Sequence, residues 1–238
     1  FLQKVLKLYT IYITKGVNSM LDLDFLNNNY QDNRPASEIV AESIAIDILT
    51  GVLRPGQRII EHTLCDKYAM SRTPIRGILN QLSSFGLIHL IPNRGAFVTG
   101  VTERDIDDFF YMKSLLYPQC VKWAIERITT EEMAMLEETF DFMEFYTATE
   151  DFEKMKKINH GFEAIIYNAS HNAELEKTLL RYDFFIRYAN INIKYPLNYL
   201  PAVLEEHRAI FMAFKDKKPD AGYEAAQIHA YKSMLRRK

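Results

Sequence analysis

From Ala36 onward the apolar positions recur with helical spacing. Val40, Ile44, Ile48 and Val52 fall every four residues, which predicts a helix capped by Ser37 and closed by the Arg54-Pro55-Gly56 turn. Ile59 and Ile60 read as a short strand. Glu61 to Tyr68 and Arg72 to Ser84 read as a helix-turn-helix stopped at Gly86, and Leu87 to Ile91 with Ala96 to Thr99 read as two short strands around Pro92-Asn93-Arg94-Gly95. This is the pattern of an α+β winged helix-turn-helix. Beyond Val101 the period is helical throughout. A long helix capped by Thr102 and bent at Pro118 leads into helices at about Thr130 to Tyr146, Asp151 to Asn168, Ala173 to Lys194, Tyr199 to Lys215 and Pro219 to Arg237. Six helices predict an all-α bundle, with Phe140, Phe152, Phe162, Tyr182 and Phe185 in its core. The expected organisation is an extension or flexible arm over 1–35, a winged helix over 36–101 and a helical domain over 102–238.

Ser71-Arg72-Thr73-Pro74-Ile75-Arg76 is the start of the second helix of the helix-turn-helix. Ser can accept from a first-turn amide, and Pro is tolerated where its missing N–H has no intrahelical partner. Ile75, Ile78, Leu79 and Leu82 form the inward face, which leaves Arg72 and Arg76, four apart, on the outward one. Two guanidinium forks near a helix N-terminus suit phosphates or the O6/N7 edge of guanine. The plain alternative is a solvated basic face.

Composition and charge sharpen this picture. With 238 residues, 48% apolar and 13% aromatic, the chain can bury two modest cores. Its net charge is only -2, but Arg54, Arg58, Lys67, Arg72, Arg76 and Arg94 outnumber Glu61 and Asp66 between Val52 and Gly100. A basic module is therefore joined to an acidic body. Cys65 and Cys120 are too few and too far apart for a disulfide framework or a cysteine zinc site, which predicts a reducing, cytoplasmic setting. No apolar run is long enough to span a bilayer, and the stretch from Phe1 to Ser19 lacks a signal-peptide cleavage site. Met20 is the expected native start.

Five motifs in unbroken order resemble the DNA-binding domain of the GntR family of bacterial transcription regulators. They are Leu53-Arg54-Pro55-Gly56-Gln57-Arg58-Ile59-Ile60-Glu61, Leu64-Cys65-Asp66-Lys67-Tyr68, the hexapeptide from Ser71, Phe85-Gly86-Leu87-Ile88, and Pro92-Asn93-Arg94-Gly95-Ala96-Phe97-Val98. Ala69 departs from the family's usual turn glycine, and Gly77 from a common acidic residue. The resemblance implies DNA contacts by Arg72, Thr73 and Arg76, by Arg94 with Gly95 at the wing, and by His62 where relatives carry an Arg.

The run from Ile158 to Asn172 resembles the FCD ligand-binding domain of the FadR-type branch of the family, where members with the full set of an acidic residue and three histidines bind a divalent metal between helices beside an organic-acid effector. Asn159 and Glu163 replace that branch's acidic residue and first histidine, whereas His207 and His229 match its two further histidines. Asn159 and Glu163 lie one turn apart on one face, and His207 and His229 come from two other helices. A carboxylate, an amide oxygen and two imidazoles form a harder site than three histidines and an Asp, which favours Mn, Fe or Ni more strongly against Zn. The other reading of these residues is a hydrogen-bonded cluster without an ion, and His160 reads as a surface residue. Lys113, and Arg187 on the fourth bundle helix, are candidate partners for an effector carboxylate, or else solvated charges. No organic cofactor is indicated.

These readings predict a regulator rather than an enzyme. It is expected to be a homodimeric repressor, released from an inverted-repeat operator by a small organic acid. The alternative from a different class is a metal-dependent enzyme using two His and one carboxylate.

Overall fold

A computed structural model of the chain describes residues 35–189 and 199–236, without the side chains of Glu153 and of residues 187–189. The arm expected over 1–35 thus lies almost wholly outside the described residues, as do positions 190–194 of the fourth bundle helix and the side chain of Arg187.

Helix α1 (Ala36–Leu49) begins one residue ahead of its expected cap. Pro35 is the N-cap, with φ -52° and ψ 135°, and its carbonyl already accepts from the Glu38 amide at 2.8 Å. Proline's fixed φ feeds the chain straight into the first turn, so Ser37 stands inside the helix instead of capping it. Strand β1 (Arg58–Ile59) also falls one residue early, because Ile60 is exposed and serves as the N-cap of α2 (Glu61–Tyr68). Ala69 then reverses the chain with φ 50° and ψ 40°, and α3 (Arg72–Ser84) follows. Strands β2 (Ile88–Ile91) and β3 (Gly95–Val98) pair antiparallel with Ile88 opposite Val98 and Ile91 opposite Gly95. β1 adds to the other edge of β3, giving the order β1-β3-β2.

Among the described residues six helices follow: α4 (Glu103–Arg127), α5 (Thr130–Ala148), α6 (Phe152–Ala169), α7 (Ala173–Ala189), α8 (Tyr199–Lys215) and α9 (Pro219–Arg236). Thr102 with Asp105, and Thr129 with Glu132, form reciprocal capping boxes that fix the starts of α4 and α5. α4 runs through Pro118 as one helix. α9 lies so close to α4 that a Cβ at Gly222 would come within 2.2 Å of Ile125 Cδ1.

The described residues form two apolar cores. One fills the six-helix bundle around Tyr117, Phe140, Phe162, Tyr167, Leu179 and Phe211. The other joins α1, α3 and the sheet through Ile44, Ile75, Leu82 and Val98, and it also takes in Ile106 and Phe110 from α4 with Phe184 and Phe185 from α7. The two bundle helices therefore reach into the N-terminal core. Both cysteines are free, and among the described residues no helix is long and apolar enough to cross a membrane.

Candidate functional site

The first candidate surface is the outer face of α3. Ile75, Ile78, Leu79 and Leu82 are buried beneath it, so the helix cannot rotate without opening the core, and Arg72, Thr73 and Arg76 are held outward. Ser71 has the extended backbone of an N-cap, yet its side chain makes no capping bond. The first-turn amides lack that hydroxyl partner and face the side where an anion would lie. Arg76 is not a bare cation: its Nε–H donates to both oxygens of Glu61 at 3.0 and 3.2 Å. Arg94 and Gly95 form the exposed wing turn, where Asn93 has φ 60° and Gly95 φ 99°. The guanidinium of Arg58 lies against Gly95, a cation at the wing that motif reading left out of the contact set. His62 is exposed and pairs with the exposed Asp66 one turn on, Nδ1 to Oδ2, at 2.7 Å.

The second candidate surface is internal. Glu163 of α6, His207 of α8 and His229 of α9 are all buried, and one ligand atom from each lies within 4.8 Å of the others. Sequence reading named these three, and folding brings them together. His207 Nδ1 donates to the Val203 carbonyl at 2.8 Å, so its Nε2 carries the lone pair, and that atom is buried without a partner. His229 Nδ1 donates to Glu206 at 3.0 Å, which turns Nε2 toward Glu163 Oε1 at 3.8 Å. Arg236, together with Lys232 at 3.5 Å, fixes Glu206 in turn. Asn159, one turn before Glu163, has its Oδ1 buried and unpaired.

Lys113 of α4 is only 14% exposed and bridges Glu163 at 2.9 Å and Asp183 at 2.5 Å, so it is not the solvated charge that one reading of the sequence allowed. Asp183 is held on its other oxygen by the Tyr167 hydroxyl at 2.7 Å. The hydroxyl of Tyr117, stacked edge-on to Tyr167 and His229, is buried without a partner. Asp183, Glu206 and Tyr117 escaped the sequence reading. One signal was available: Asp183 is the lone charge in the aromatic run Tyr182-Asp183-Phe184-Phe185.

One ammonium cannot satisfy two buried carboxylates equally. Burial alone would raise Glu163, but Lys113 and His229 together hold it well below the usual carboxylate range. Burial pushes Asp183 up to about 6 against the pull of Lys113. Burial opposes the charge on Lys113, and the two carboxylates more than restore it, raising its pKa. Burial, then the neighbouring His229, drives His207 down to about 3, whereas His229 is raised against its burial by Glu163 and Glu206.

The donor set fits a divalent first-row ion. It offers a carboxylate, an imidazole nitrogen with nothing else to bind and a second imidazole, with both rings oriented by hydrogen bonds at Nδ1. Lys113 beside Glu163 weakens that fit by competing for the same carboxylate.

Residues 36–98 match the model of the bacterial regulatory proteins of the gntR family, and residues 108–231 match the FCD domain. YdhC of Bacillus subtilis, an uncharacterised HTH-type transcriptional regulator, is 29% identical over 189 residues, which span 76% of this chain and 82% of that one. The galactonate operon transcriptional repressor of Escherichia coli is 26% identical over 201 residues, 75% of this chain and 86% of that one. The solved structure of E. coli McbR/YncC superposes with a TM-score of 0.64 at 21% identity, covering 85% of this chain and 96% of that one, a likeness of fold.

Proposed function

The chain belongs to the GntR family of bacterial regulators, in the branch that carries an FCD domain, and on that premise we propose that it represses transcription until a small carboxylate reaches the buried centre. The family is one of DNA-binding transcription regulators, so the alternative of a metal-dependent enzyme falls away. In this reading Arg72, Thr73 and Arg76 read base edges in the major groove, and Arg94 with Gly95 follows the backbone or minor groove beside it. The observation that carries the reading is the outward α3 face fixed to a core that also holds Phe110, Phe184 and Phe185. Phe110 lies one turn from Lys113 on α4, and Phe184 follows Asp183 directly on α7. A ligand that draws Lys113 away from Asp183 would shift two helices seated in the DNA-binding core.

Glu163, His207 and His229, with Asn159, would hold a divalent ion such as Zn, Ni, Mn or Fe, which when bound supplies positive charge for an effector carboxylate. The charge balance supports that class of ligand. Lys113 is shared between Glu163 and Asp183, whereas Glu206 is answered by Arg236 and Lys232. A divalent ion beside Glu163 would add the positive charge that a buried effector carboxylate needs.

The active unit in this reading is a homodimer in the cytoplasm, whose two α3 helices face the halves of an inverted repeat. Tyr111 and Leu115 on α4, with Tyr231 and Leu235 on the adjacent α9, are exposed apolar side chains that a second copy would cover.

Selection from random duplexes by the full chain tests the DNA reading. An enriched inverted repeat is expected, and Arg72→Ala should cost about 1–3 kcal/mol on it while leaving scrambled duplexes much less affected. Equal weakening on both would reduce Arg72 to a phosphate contact.

A further inference from the structure

We propose that Glu61 is a specificity-determining residue that positions Arg76, holding Nε so that the guanidinium meets a guanine end-on through its two Nη groups. The proposal rests on the reading of Arg76 as a base contact. The two residues lie on different helices of the helix-turn-helix, each fixed from behind. α2 is anchored by the buried Leu64 and by Tyr68, whose hydroxyl bonds Ser43 of α1 at 3.1 Å, and α3 is anchored by Ile75, Ile78 and Leu79. Backbone packing thus sets the distance across which the ion pair forms, and the pair spans 15 residues of sequence.

The geometry of the contact matters more than its charge. Both carboxylate oxygens accept from Nε–H, at 3.0 and 3.2 Å. An unrestrained arginine can present guanine with either of two forks, Nε with one Nη or both Nη together. With Nε occupied, only the terminal fork is available, and the side chain leaves the helix in one direction. Arg76 nevertheless remains 64% exposed, so the fork is open to a ligand.

A carboxylate at this place has an electrostatic cost. It faces the region where phosphates would approach, within the basic half of the chain, and there it opposes binding to any DNA. A purely electrostatic surface would do better without it. That conflict separates positioning from charge: removing Glu61 should strengthen binding to arbitrary duplexes and weaken binding to the preferred one.

The experiment uses the full chain and two probes, the duplex enriched by selection and a scrambled duplex of equal length, at one fixed salt concentration. Glu61→Ala is expected to bind the scrambled duplex as tightly as wild type or more so. Its ratio of preferred to scrambled affinity should fall about tenfold, with loss of guanine preference at one position of each half-site. Glu61→Gln keeps an oxygen that accepts from Nε–H, so it should retain that preference. An unchanged ratio in Glu61→Ala, or equal weakening on both duplexes, overturns the proposal. If Arg76→Ala lowers the ratio while Glu61→Ala does not, this inference alone falls. If Arg76→Ala also leaves it unchanged, the base-reading role of Arg76 falls with it.

Discussion

At the scale of single residues, His207 shows how a buried site stores a preference. Its Nδ1–H is committed to a backbone carbonyl and its Nε2 has no partner, so the ring is held neutral and ready to donate an electron pair. The cost appears in acid. Burial, then the neighbouring His229, depresses its pKa to about 3, whereas an unfolded chain takes up this proton near 6.5. Stability from the neutral ring is therefore complete above pH 6.5 and is lost as pH falls toward 3, by about 2 kcal/mol at pH 5. His229 works in the opposite sense, because its folded pKa is raised. In urea melts of metal-free protein, His207→Gln should lose about 2 kcal/mol less than wild type between pH 7 and pH 5. Equal losses would show that the ring already takes a proton in the folded state. Glu163, His207 and His229 were legible in the sequence because their motif spacing survives. Asp183 and Glu206 were not, since nothing local marks a carboxylate as the partner of a lysine 70 residues away or of a histidine 23 residues on.

At the scale of elements, the helix starts show what local chemistry specifies. Thr102 and its capping box could be read directly, because the partner, Asp105, stands three residues on. Ser37 misled because a proline two residues earlier had already set the helix in motion. The turn of the helix-turn-helix carries a residual strain: Ala69 adopts φ 50°, in the left-handed region where a Cβ costs about 1 kcal/mol. Ala69 is exposed, so a change there touches no core contact. Ala69→Gly should stabilise the chain by about 0.5–1 kcal/mol, seen as a rise of about 1–4 °C in the melting temperature, with duplex binding unchanged. A lower melting temperature would mean that glycine's extra freedom in the unfolded chain outweighs the relief.

At the scale of the whole molecule, the change of period at Val101 marked where strands end. It could not show that α4 and α7 belong to both cores. Their aromatic residues Phe110, Phe184 and Phe185 look like ordinary bundle positions in sequence, and only packing assigns them to the DNA-binding half. That sharing gives a small ligand its leverage, since Lys113 and Asp183 sit on the same two helices. By linkage, whatever factor the ligand takes from operator affinity, the operator must take from ligand affinity. The most direct test is the affinity of the selected duplex for zinc- or nickel-loaded full-length protein across a panel of small carboxylates, with Glu163→Gln and a chelator-treated sample alongside. We expect at least one carboxylate to weaken the wild-type complex by about 5-fold to 150-fold and to leave both controls unmoved. If no carboxylate changes duplex affinity in protein shown by elemental analysis to hold the ion, or if no ion binds, the buried centre does not govern the recognition helix.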